Sequence, residues 1–176
     1  LSEIKKTFIF DIDGCILPSI FPKLLKKNQT REEQEQIIKN INKQGYSIEL
    51  YPKFVNFYFK HCSRELVYFV TGRKRSDFEK LTYHHLASLQ YENIHFYPED
   101  GLYTRDFYLS WKYTIIKSLF EKDREYFIFD DEEGYFHELE RLEQYYCKCF
   151  KVKNDEDWET ILYIGYKFIA EHNNGW

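Results

Sequence analysis

No methionine occurs among the 176 residues, and no apolar stretch approaches the ~20 residues of a membrane-spanning helix. No apolar signal core precedes a small-residue cleavage site either, so a cytoplasmic location and no membrane partner are expected. A leader removed ahead of Leu1 stays an open alternative. Cysteines are few, at 15, 62, 147 and 149, with no CxxC pair and none of the short, even spacing of a disulfide scaffold. They are read as reduced thiols. Cys147 and Cys149 stand two apart in an apolar run, so they share one face of a strand and are read as packing residues, not zinc ligands. There is also no excess of positive charge. The formal net charge of -4 argues against loose attachment to nucleic acid, which depends on many Lys and Arg neutralising phosphates; a local basic patch remains compatible with it.

Charged residues make up 31% and hydrophobic residues 43%, which places the chain among soluble globular proteins. Its length suits one core, so residues 1–176 are read as a single domain. With 16 Tyr and 16 Phe, that core must be built largely of packed rings.

The first strong local signal is Thr7-Phe8-Ile9-Phe10, a short apolar run ending at Asp11, like a strand buried on both faces. Thr30-Arg31-Glu32-Glu33 then has a capping-box pattern ahead of Ile37, Ile38 and Ile41, and that helix stops near Gly45. From Tyr51 the apolar positions follow helical spacing, with Pro52 in the first turn. A second strand, Leu66 to Val70, leads into Thr71-Gly72-Arg73, and Ser76-Asp77-Phe78-Glu79 reads as the cap of the next helix. Residues 93–97 make a third strand; Ser110 is expected to cap a helix carrying Trp111, Ile115, Ile116, Leu119 and Phe120. Tyr126 to Phe129 form a fourth strand ending at Asp130-Asp131, and residues 145–152 a fifth. A last helix, capped near Asn154, carries Trp158, Ile161, Leu162, Gly165 and Ile169. Strands that alternate with helices predict an α/β fold: a Rossmann-like three-layer α/β/α arrangement on a mainly parallel five-stranded sheet. In such sheets ligands bind beyond the carboxyl ends of the strands.

That edge collects Asp11 and Asp13 after the first strand, Thr71 after the second, Lys112 at a helix start, and Asp130 and Asp131 after the fourth. The ordered runs FIFDIDGC, FVTGR, the lysine of WKYTIIKSL, and FIFDD resemble the four motifs of the haloacid dehalogenase superfamily, across residues 7 to 131. A calcium loop starting at Asp11 does not fit, because Gly14 occupies its fourth position instead of the sixth and no Glu stands at the twelfth. One departure from the family pattern is Cys15, where Thr or Val is usual. It is read as a buried packing thiol, with oxidation sensitivity as the alternative.

The resemblance implies a magnesium-dependent phosphatase. An ionised carboxylate can attack phosphorus to form an aspartyl-phosphate, and the resemblance gives this role to Asp11. Asp13 resembles the acid/base that protonates the leaving group and then activates water. A divalent cation must neutralise the carboxylates facing a phosphate dianion. Asp11, Asp130 and the main-chain carbonyl of Asp13 are the implied magnesium ligands, and Asp131 joins the metal group through water or from behind those ligands. Thr71 and Lys112 are implied to contact the phosphate and Lys112 also the Asp11 carboxylate, while Gly72 and Arg73 complete the substrate-binding turn. Taken singly, Thr71 could be a strand-end cap, Lys112 a solvated helix residue and Asp130 to Glu133 an acidic turn. Arg73, Lys74 and Arg75 read equally as a phosphate-facing basic rim or a solvated helix start. His84 and His85 are read as residues without a role.

In this superfamily substrate choice comes from cap insertions. Here residues 18 to 50 leave room for a small helical lid, whose thin stripe of isoleucines must lean on the mouth of the site or on a second subunit in a homodimer. The expected substrate is a phosphorylated small molecule or a polynucleotide end. A non-enzymatic binding module on the same fold is the alternative from another class.

Overall fold

The computed structural model describes residues 5–21 and 30–161. Its elements run β1 (Lys5–Phe10), α1 (Arg31–Gly45), α2 (Pro52–His61), β2 (Leu66–Lys74), α3 (Arg75–His85), β3 (Asn93–Tyr97), α4 (Arg105–Ser118), β4 (Arg124–Asp130), α5 (Phe136–Glu140) and β5 (Tyr146–Lys151). Residues 155–161 are helical as well. The five strands form one sheet in the order β3-β2-β1-β4-β5, and every pairing is parallel. This is the three-layer α/β/α arrangement that the alternating pattern predicts. Leu162, Gly165 and Ile169 of the last helix, and residues 22–29 of the 18–50 segment, lie outside the described residues. Among the described residues no helix is long and apolar enough to cross a membrane.

Side chains alternate across a strand, so β1 serves two cores. Phe8 and Phe10 join Phe127, Phe129 and Phe69 in a sheet of rings on one face, covered by Phe54 and Phe57 of α2 and by Trp158. Ile9 and Ile128 point to the other face, where Ile116 of α4 and Leu139 of α5 cover them. Each such side chain, fully buried, contributes about 1.5–3 kcal/mol, so these two faces hold the fold together. α1 is different: its Ile38 and Ile41 pack on Phe78 and Leu81 of α3 and on Ile20, away from both main cores.

Several helix starts differ from expectation. α4 begins at Arg105, where the Thr104 hydroxyl accepts from Phe107 N, so Ser110 lies inside the helix and Lys112 two turns along it. A threonine one and a half turns upstream outcompetes the serine because the segment between them is already compatible with helix. α3 begins at Arg75 with no side-chain cap from its own chain neighbours. Ser76 uses both its N–H (3.0 Å) and its hydroxyl (2.6 Å) to donate to the Glu99 carboxylate beyond β3, so the orphan donor is satisfied from a distant loop and not by Glu79. The Thr30 cap forms as read, accepting from Glu33 N at 3.1 Å. Asn154 also caps, through Asp157 N at 3.0 Å.

The candidate active site

The chain leaves β1 for β2 and β3 on one side and returns to β4 on the other, so the connection reverses beside β1 and opens a crevice at the carboxyl edge. Phe10 is paired with Phe129, and Asp11 N continues the ladder by donating to Phe129 O at 2.9 Å. Register alone therefore brings Asp11 and Asp130 side by side.

Lys112 reaches them from α4. Its ammonium donates to Asp11 Oδ1 (2.9 Å), Asp130 Oδ2 (2.8 Å) and the Val70 carbonyl (3.0 Å), using all three of its donors. Lys112 and Asp130 are completely buried and Asp11 nearly so. Burial opposes the charge of Lys112, but the two carboxylates outweigh it and hold the ammonium well above its ordinary range. Asp130 also accepts from the Tyr135 hydroxyl (2.6 Å) and from Glu132 N (3.0 Å). Burial would raise its pKa, yet Lys112 and these hydrogen bonds bring it below the usual value. Asp11 goes the other way: burial, with the Asp130 charge added, pushes it well above, against the pull of Lys112.

Asp131 completes an acidic trio, with carboxylate oxygens of Asp11, Asp130 and Asp131 all within 4.8 Å of one another. Asp131 is an exposed residue on the rim, but partial burial of its carboxyl, followed by the Asp130 charge, lifts it to about 6. Gly14 is required beside it. Its φ of +76° is left-handed, and a Cβ there would stand 2.8 Å from Asp131 Oδ2.

Asp13 is placed apart from this trio. Its Oδ1 accepts from Ile20 N (3.2 Å) and Arg73 Nη2 (3.0 Å), and its Oδ2 from Arg73 Nε (2.9 Å). Its carboxylate therefore faces Arg73 and Ile20, while the metal role implied for Asp13 belongs to its main-chain carbonyl. Arg73 is likewise not on a basic rim; it is fully buried and directed at Asp13, Thr82 and His85. Thr71 is buried within β2, which continues past Val70 to Lys74 with a shift in register, and its hydroxyl accepts from Arg73 N at 3.1 Å. Gly72 lines the site cavity, and Tyr108 lies 3.1 Å from where its Cβ would be.

That cavity, about 330 Å³, has Asp11, Asp13 and Asp131 at its base and Phe21, Tyr103 and Tyr108 as walls. A larger one of about 850 Å³ lies between α1 and the start of α3 and contains none of the four aspartates, so the chemistry belongs to the smaller. Sequence reasoning missed Tyr135 and Tyr108. Neither sits in a motif, and only the fold brings them to Asp130 and Lys112.

No family model matches the sequence, and no curated protein matches it. Solved structures do share its fold. A Thermotoga maritima protein provisionally described as beta-phosphoglucomutase aligns with a TM-score of 0.55 at 12% identity, covering 91% of this chain and 99% of its own. A chain of the Pnkp1/Rnl/Hen1 RNA repair complex aligns at 0.52 and 15% identity over 86% of this chain, which spans only 44% of that larger one. The HAD domain of the Legionella pneumophila effector Lem4 aligns at 0.48 with 19% identity. The chain shares a three-layer α/β/α fold with these proteins and has an aspartate cluster at the carboxyl edge of its sheet.

Proposed function

We propose that the protein is a magnesium-dependent phosphomonoester hydrolase working through an aspartyl-phosphate on Asp11. The observation that carries this reading is the buried ammonium of Lys112 shared between Asp130 and Asp11, the latter lining the cavity. It holds the Asp11 carboxylate in one orientation for attack on phosphorus.

The donor set suits a hard divalent cation. Three carboxyl groups converge, all oxygen, against one ammonium, so their full ionisation leaves a negative excess to be neutralised before a phosphate dianion can approach. Asp11, Asp130 and Asp131 would hold magnesium, which when bound supplies that neutralisation and orients the phosphate.

In the first step Asp11 forms an O–P bond as the ester P–O bond breaks, and Asp13 gives its proton to the departing alkoxide. In the second, water attacks the same phosphorus, its proton passes to Asp13, and the Asp11 carboxylate and inorganic phosphate are regenerated. Lys112 stays protonated throughout, and Thr71 and Gly72, in the irregular stretch of β2 between Val70 and Lys74, face the phosphate.

The substrate is a small phosphoester or a polynucleotide end; the fold shared with a chain of an RNA repair complex supports including the latter. α1, leaning on α3 and not on the sheet, fits a helical lid over the 18–50 segment. The test is turnover of p-nitrophenyl phosphate with and without magnesium, followed by a panel of phosphometabolites and 3′- and 5′-phosphorylated oligonucleotides. Absence of magnesium-dependent release on every substrate would leave only a binding role for the fold.

A further inference from the structure

Arg73 stands in the run Thr71-Gly72-Arg73-Lys74-Arg75, where a cation toward phosphate is the ready interpretation. The structure gives it other work. Four of the five N–H donors of a guanidinium have named partners: Nε and Nη2 take the two oxygens of Asp13 at 2.9 and 3.0 Å, and Nη1 takes Thr82 Oγ1 at 3.1 Å and His85 Nδ1 at 3.0 Å. The side chain has no exposed surface.

The far side of this arrangement is equally determined. His85 Nε2 lies 2.7 Å from the Gly45 carbonyl, the last residue of α1. A carbonyl only accepts, so Nε2 carries the proton and Nδ1 is the acceptor for Arg73. One neutral tautomer satisfies both contacts; burial, aided by the guanidinium charge, favours that neutral form. Thr82 is fixed in the same sense. α3 is kinked at Phe78 (φ −136°), and the Thr82 hydroxyl donates to the Phe78 carbonyl at 2.7 Å, leaving its lone pair for Arg73.

We propose that Arg73 is the positioning residue for Asp13, and that His85 transmits the placement of the α1 end to it through the chain Gly45–His85–Arg73–Asp13. The catalytic part of this rests on the phosphatase reading. A bidentate pair fixes both the position and the plane of a carboxylate, whereas the backbone N–H of Ile20 alone leaves it free to rotate. Holding Arg73 from behind by two neutral acceptors keeps that plane aligned with the cavity that Asp13 lines. The lid helix is thereby joined to the acid/base group by hydrogen bonds as well as by its apolar stripe.

Two measurements on the full chain test this. The first needs no catalysis: urea midpoints of His85→Ala, Asp13→Asn and the double variant. The two side chains share Arg73 and not each other, so the double variant should shift by less than the sum of the single shifts. Additive shifts would overturn the link, whatever the protein hydrolyses. If His85→Ala does not fold, His85→Leu, which keeps bulk and removes both contacts, provides the same cycle; His85→Asn, which retains an acceptor for Arg73 and gives up Gly45, does not.

The second measurement is kcat/KM, which reports steps up to phosphorylation of the enzyme, for an aryl and an alkyl phosphate. An aryloxide leaves without a proton and an alkoxide does not. Arg73→Lys and His85→Ala should therefore lose at least tenfold more on the alkyl ester, with His85→Asn between them and wild type. Equal proportional losses on both esters would mean a structural role only. Wild type that turns over neither ester removes the phosphatase reading, and with it the catalytic half of the proposal, while the midpoint cycle still decides the link.

Discussion

Lys112 Nζ donates to Asp130 Oδ2 across 2.8 Å, with both side chains withdrawn from solvent. A buried pair of this kind costs far more to break than it contributes when intact. Lys112→Met should leave Asp11 and Asp130 facing each other without a cation, and should destabilise the protein by about 3–5 kcal/mol in urea unfolding. Added magnesium should recover part of that loss. A variant with unchanged midpoint would show that the pair is not buried in solution.

Asp11→Asn keeps the shape of the nucleophile and removes its charge. Turnover of p-nitrophenyl phosphate should fall to background while the circular dichroism spectrum is retained. Asp13→Asn should leave a slow release of p-nitrophenolate, a good leaving group, followed by accumulation of phosphorylated enzyme visible by mass spectrometry. Full activity in both variants would reject the mechanism.

Chelation addresses the acidic trio. Exhaustive EDTA treatment should abolish turnover, and magnesium should restore it; Asp131→Asn should raise the magnesium concentration needed for half-maximal activity, because one of three converging carboxylates is lost. Activity that survives EDTA unchanged would dismiss the metal.

The pH dependence of stability contains opposing contributions that variants separate. Burial, with the charges of Lys60 and Lys6 added, lowers His61 to about 4 from an ordinary value of 6.5. A histidine whose folded pKa is depressed contributes stability in full above 6.5 and loses it as pH falls towards 4. Asp131, raised to about 6, has the opposite sign, gaining stability as pH falls through 6. The urea midpoint of wild type should therefore fall relative to that of His61→Phe between pH 7 and pH 4.5. A constant difference would show that His61 titrates normally.

The sheet was readable because β1 and β4 are short apolar runs that end on aspartates, and a strand buried on both faces leaves little else to match that pattern. The acidic trio followed from parallel register, which any such sheet supplies. What stayed hidden depended on long-range geometry. Arg73 in sequence is one of three consecutive cations, and nothing local distinguishes the one that turns inward. His85 looks like its neighbour His84, although only His85 meets the Gly45 carbonyl. The α3 start was misread for a similar reason: a serine followed by a glutamate signals a capping box, but the carboxylate that arrives is Glu99. The five residues of α5 are too few to show a periodicity at all.

Trp158 is completely buried among Phe10, Phe54, Phe57 and Phe129, and its indole N–H donates to the Cys15 carbonyl at 2.7 Å, two residues past Asp13. An indole in such surroundings emits at short wavelength, and its emission responds to any change at the group it touches. With Trp111 and Trp176 replaced by phenylalanine, the protein would therefore carry a single optical reporter wired to the loop of the nucleophile. Ligand entry could then be followed in stopped flow without a label, on substrates that give no coloured product.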